Sequence, residues 1–185
     1  MQHITLVTGN PNKAREVAAI LGFEIGTQAL DLPEIQSFSL EEIVREKVAA
    51  AFARVGSPVL VEDVSFEIAA LNGFPGPFIK FWEKQRGHDL YPKLNQAFGT
   101  DRAAACAGVG YADKNGVIFV ESRIEGRVTS RRGEEGSGWG FDYYFQPDGY
   151  DGTFAKLGAD VKNNISHRAR AWAAMRDELR SRNLA

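Results

Sequence analysis

The sequence predicts an α/β fold with a mixed sheet. Short apolar runs of strand length alternate along the chain with segments of helical periodicity, the pattern of strands connected by helices. The first run, Ile4 to Val7, ends in the turn-rich cluster Thr8-Gly9-Asn10-Pro11-Asn12 and leads directly into a helix pattern. The 185 residues are 44% apolar and 25% charged, which suits one globular domain, or two small lobes sharing a core.

The opening strand, running on from Met1-Gln2-His3, is followed by a helix with Val17, Ile20 and Leu21 on one face and Gly22 as its stop. Phe23 to Ala29 reads as a second strand. Ser39 with Glu42 three residues on has the form of a capping box. Ile43, Val44, Val48, Ala51, Phe52 and Val55 then recur at helical spacing up to Gly56. Pro58 to Val61 is a short apolar strand that delivers Glu62 and Asp63 at its end. Gly73 to Pro77 is a rigid loop, and two short helices follow, Phe78 to Arg86 and Leu90 to Phe98. Ala103–Ala112 and Val117–Val128 make a strand pair joined by an Asn115-Gly116 turn, a strong hairpin signal. The Gly- and aromatic-rich stretch 129–152 is too long for a connector, and long ordered loops usually carry function. The last helix starts near Ser166 and buries Ala169, Trp172, Ala173, Met175 and Leu179.

Composition excludes several classes. A formal net charge of −2 is not that of a bulk nucleic-acid binder, so contacts with phosphate should be local to a pocket. No apolar run approaches the roughly 20 residues of a membrane span, and the N-terminus lacks the pattern of a signal peptide. The lone Cys106, in an alanine-rich strand, reads as a core residue and fits a reducing cytoplasm.

Four segments carry candidate chemistry, each with a plainer alternative. Thr8-Gly9-Asn10 with Lys13 combines a sharp turn, a helix N-terminus and a cation. That suits a phosphate, or is an ordinary strand-to-helix turn, since it lacks the Walker A spacing. Glu34 and the Glu62-Asp63 pair supply hard oxygen ligands suited to Mg²⁺, or are solvated loop acids. Lys162 with Ser166-His167-Arg168 puts cations at a helix start, where an anionic partner would relieve the conflict with the dipole; otherwise it is a solvated basic end. Trp139 to Phe145 offers aromatic faces for a nucleobase, or is simply core.

In order and spacing, these segments resemble the inosine triphosphate pyrophosphatase family, whose members act on non-standard purine nucleoside triphosphates. The matching pieces are Thr8-Gly9-Asn10 with Lys13, Asp31 to Glu34, Val59 to Asp63, Gly73 to Lys80, Phe145 to Tyr150, and Lys162-Asn163 with Ser166-His167-Arg168. Together they run from residue 4 to about 172. The resemblance implies an elongated central mixed sheet flanked by helices, with two lobes and a substrate cleft between them. A single pyrophosphatase domain over residues 1–185, a cytoplasmic homodimer, and a Mg²⁺ requirement with Mn²⁺ able to substitute are implied as well.

By position, Thr8, Gly9, Asn10, Lys13 and Lys47 would hold the triphosphate. Glu34 and Asp63 would carry the metal, and Asp63, or in reserve Glu62, would orient or deprotonate the water. Trp139, Phe141, Asp142, Lys162, His167 and Arg168 would surround the purine, with Arg168 or backbone N–H groups donating to its 6-oxo group. The implied reaction yields the nucleoside monophosphate and pyrophosphate from ITP, dITP or XTP. A pyrophosphatase for modified pyrimidine nucleotides and a non-catalytic nucleotide-binding protein are the alternatives. The chain departs from the family where Tyr143 replaces the usual Pro, which frees a backbone N–H and should loosen the turn. Trp139 and Phe141 also look exchanged.

Overall fold

Apolar spacing accounts for most of the elements, in the order expected. The structure, a computed structural model, describes residues 4–22, 25–87 and 90–184. Among them the strands are β1 (Thr5–Val7), β2 (Gly26–Gln28), β3 (Val59–Ile68), β4 (Pro75–Gly76), β5 (Arg102–Asp113), β6 (Gly116–Val128) and β7 (Phe145–Pro147). The helices are α1 (Pro11–Leu21), α2 (Leu40–Val55), α3 (Ile79–Arg86), α4 (Leu90–Phe98), α5 (Phe154–Ile165) and α6 (His167–Ser181). The sheet is mixed, with order β2-β1-β3-β5-β6-β7 and β4 paired to β3. β1 runs parallel to β2 and β3, whereas β4 is antiparallel to β3 and β7 to β6. Among the described residues no helix is long and apolar enough to cross a membrane.

The chain divides into two compact units. The first comprises Met1–Asp63, Ala107–Ser122 and Arg168–Ala185. Its core joins Leu6, Val17, Val44, Val48, Leu60, Val109, Trp172 and Met175, all fully buried. Helix α2 lies close against β5 because position 110 is glycine. A Cβ there would stand 2.9 Å from Val44 Cγ1 and 3.1 Å from Val48 Cβ. The second unit comprises Val64–Cys106 and Arg123–His167. Its core is aromatic, built on Phe66, Tyr91, Phe141, Phe145 and Phe154. Phe66 stacks on Phe141 with ring centroids 4.3 Å apart and meets Phe145 edge-on at 5.7 Å.

Several expectations are corrected. β3 does not stop at Glu62-Asp63 but runs on to Ile68, so both acids lie mid-strand. Phe66 and Ile68, both buried, continue the strand pattern past the charged pair. The capping box at α2 is half made. Ser39 Oγ accepts from Glu42 N, but the Glu42 carboxylate accepts from Ser37 Oγ at 2.6 Å, and Ser39 N donates to that same Ser37 hydroxyl. The second strand is confined to Gly26–Gln28, and the expected strand residues Phe23 and Glu24 lie outside the described residues, as do Met1 to His3. Helix α5 was not anticipated. It is capped by Thr153, and Gly158 with φ 81° interrupts the helical geometry inside it, which breaks up its apolar period. Ala173 on α6 is only half-buried.

Candidate active site

The first unit gathers one set of candidate residues around β1, α2 and β3. At the β1–α1 turn, Asn10 is the helix cap: its Oδ1 accepts from Asn12 N at 2.9 Å and from Lys13 N at 3.3 Å, while Asn10 N donates to Thr8 Oγ1 at 3.1 Å. Two of the first-turn amides are therefore already satisfied by Asn10. Lys13 remains half-buried one turn in. Its ammonium lies 3.4 Å from both the backbone oxygen and the carboxylate of Glu62.

Neighbouring residues in a strand point to opposite faces, and β3 separates its two acids accordingly. Glu62 is buried. Its carboxylate accepts from Arg168 Nε at 2.9 and 3.0 Å, from Arg168 Nη2 at 2.8 Å and from Trp172 Nε1 at 2.7 Å. Burial alone pushes this carboxyl up. The charges of Arg168 and Lys13 and the hydrogen bonds from Arg168 and Trp172 outweigh it and hold the group well below the usual carboxylate range. Arg168 is itself buried, and its Nη1 donates to Glu16. Asp63, by contrast, accepts from Lys47 Nζ at 3.0 Å, and the same ammonium donates to Glu34 Oε1 at 2.7 Å. Burial works against a charge on Lys47, but Asp63 and Glu34 raise its pKa above the ordinary lysine value. Lys47 thus brings together two carboxylates from segments far apart in the chain, the exposed loop before α2 and mid-β3.

A second set lies within the second unit, around the turn Gly140–Tyr143. Asp142 is buried, accepts from Trp139 N at 3.0 Å and pairs with the buried Lys162 of α5 at 2.7 Å. Lys162 Nζ stands 5.4 Å from the centre of the half-buried Trp139 ring, within cation–π range. His167 is buried, with its ring 5.6 Å from Phe141 and 5.9 Å from Phe154. Tyr143 ties the loop down: its hydroxyl accepts from Gly136 N at 3.0 Å and donates to Gly138 O at 2.9 Å, and Arg131 lies over its ring at 4.3 Å. The expectation of a loosened turn is corrected, because the side chain that replaces Pro supplies the missing restraint.

The model of the Ham1 family matches residues 4–178. The chain belongs to the Ham1 family. It is 40% identical to the inosine triphosphate pyrophosphatase of Schizosaccharomyces pombe over 98% of its own length and 97% of that protein. The solved HAM1 protein of Coxiella burnetii superposes with a TM-score of 0.82 at 25% identity, covering 98% of this chain and all of that one. A nucleoside-triphosphatase, dITP/XTP pyrophosphatase, from Mycobacterium abscessus gives 0.71 at 26% identity, with 94% and 98% covered.

In this Ham1 chain the structure sorts the expected residues. Thr8, Asn10, Lys13, Glu34, Lys47 and Asp63 belong to the first unit, with Gly9 exposed between Thr8 and Asn10. Trp139, Phe141, Asp142, Lys162 and His167 belong to the second. Three of the expected residues are buried with partners of their own. Glu62 is buried in an ion pair with Arg168. The Arg168 guanidinium donates to Glu62 and Glu16. Phe141 is core, stacked on Phe66, which leaves Trp139 as the half-buried aromatic face of the loop. Sequence reasoning missed Glu16 and the role of Trp172. Glu16 recurs one turn after Lys13, a spacing that puts both on one helix face; nothing in the sequence marks Trp172 as a carboxylate donor.

Proposed function

We propose that this Ham1 protein hydrolyses non-standard purine nucleoside triphosphates such as ITP, dITP and XTP to the monophosphate and pyrophosphate. The observation that carries the reading is the Glu34–Lys47–Asp63 cluster beside the capped turn bearing Lys13. Cations there suit a polyphosphate, and the paired carboxylates suit a hard divalent ion. Mg²⁺ binds through one or two carboxylates plus water and substrate phosphates, and the donor set of Glu34 and Asp63 fits that requirement. Among the described residues no group of three or more His, Cys, Asp or Glu could hold a metal ion, so Glu34 and Asp63 would be the protein's whole share of the ligands. When bound, Mg²⁺ supplies charge neutralisation at the phosphates.

The chain's own residues then do the rest. Lys13, anchored by Glu62, and Lys47 hold the negative charge of the phosphates, and phosphoryl transfer depends chiefly on such positioning and electrostatics. Asp63 orients the attacking water and accepts its proton. Glu62 keeps Lys13 and Arg168 in place. On the second unit, Trp139 stacks on the base and Lys162, backed by Asp142, faces its 6-oxo acceptor. Adenine presents an amino donor at that position, and a buried donor facing a donor is the kind of mismatch that gives sharp rejection. The same reading carries a cytoplasmic homodimer, for which light scattering gives the stoichiometry.

The test is a panel of nucleoside triphosphates, purine and pyrimidine, with and without Mg²⁺, read by pyrophosphate release. ITP and XTP should lead, ATP should lag far behind, and omission of Mg²⁺ should abolish turnover. IDP and orthophosphate as first products would overturn the choice of bond.

A further inference from the structure

In the second unit the half-buried carboxyl of Glu83, which the mechanism does not use, touches the loop that presents Trp139. Glu83 lies on α3. Its Oε1 accepts from the Tyr91 hydroxyl of α4 at 3.1 Å. Its two carboxyl oxygens lie 3.1 and 3.3 Å from where a Cβ would project at Gly140. Gly140 has φ 59° and sits between Trp139 and Phe141. The carboxyl therefore occupies space that any other residue at 140 would need.

Resting on the function proposed above, we propose that Glu83 is a positioning residue for base recognition: held by Tyr91, it seats Gly140 and so fixes Trp139 and Asp142 on either side of it. The geometry is specific in three ways. Glu83 meets the loop at its left-handed turn residue, where the backbone direction is set. Trp139 N, directly before that turn, is hydrogen-bonded to Asp142, so a displaced Gly140 would disturb both. Tyr91 is fully buried and packs edge-on against Phe66 and Tyr144, so its hydroxyl is a fixed anchor rather than a wandering one. Burial, reinforced by the charge of Asp142, pushes the Glu83 carboxyl up to about 7 against the opposing hydrogen bond from Tyr91. A neutral isostere can therefore take its place: Gln keeps the size and the acceptor for Tyr91.

Steady-state kinetics with ITP and Mg²⁺ on Glu83→Ala, Glu83→Gln and Tyr91→Phe test this. Glu83→Ala should raise KM by about fivefold, the scale of one lost hydrogen bond, with kcat little changed. Glu83→Gln should restore KM, and Tyr91→Phe should raise it in the same direction. An unchanged KM in Glu83→Ala, or no rescue by Gln, would overturn the assignment. If Glu83→Ala does not fold, Tyr91→Phe decides, and an unchanged KM there overturns it too. Wild-type protein inert on ITP would instead sink the functional reading on which this rests.

Discussion

Lys13 sits where it does because a carboxylate beneath it is already committed. Glu62 is ionised, buried and shared by Arg168, Trp172 and Lys13, while Asp63, the next residue, accepts from the half-buried Lys47. The two acids should therefore fail differently. Glu62→Gln leaves Arg168 buried with a weakened partner set, and breaking a buried pair costs about 3–5 kcal/mol; denaturant melts should show the loss. Asp63→Asn should leave the melting temperature nearly unchanged and remove most pyrophosphate release. The reverse pattern would exchange their roles. Glu83 gives a pH signature. Its folded value, about 7, lies above the unfolded value near 4.5, so the folded state binds the extra proton. Its contribution is present at low pH and declines as pH rises from about 4.5 through 7. The gain in melting temperature of Glu83→Gln over wild type should accordingly be larger at pH 8 than at pH 5.

At the scale of elements, close packing of α2 on β5 sets where Lys47 emerges. Gly110 permits it. Gly110→Ala would press a methyl into Val44 and Val48, an overpacking that costs about 1–3 kcal/mol, visible in a thermal melt. Because Lys47 leaves the same helix, a fall in kcat should accompany the fall in stability. The aromatic loop makes a second lesson. Its turn is held by the Tyr143 hydroxyl, two backbone partners and the Arg131 guanidinium above the ring. Elements with regular apolar periods, such as α1 and α2, were legible in the sequence because burial of one face dictates the spacing. Helix α5 was not, since Gly158 interrupts its period, and the loop restraint was not, since it depends on where one hydroxyl points.

For the whole molecule, similarity runs along nearly the full chain, and the residues proposed for the phosphates and those proposed for the base belong to different compact units. A ligand that binds only the folded chain should stabilise it by mass action: a non-hydrolysable ITP analogue with Mg²⁺ at 100 times its Kd should add about 2.7 kcal/mol. Differential scanning calorimetry would show this as a raised melting temperature, and the ATP analogue at the same concentration should raise it much less. By itself the sequence determined the α/β class, the order of the elements and the ordered motif set that marks the family, because each follows from local spacing or from residue types in series. Only the tertiary structure decided that Glu62 is buried against Arg168 and Trp172, that Arg168 is held by carboxylates, and that Phe141 is buried where Trp139 is half-buried. Those outcomes depend on which side chains meet across the fold, and the Glu62–Arg168 contact joins residues 106 positions apart, a distance over which no local pattern carries information.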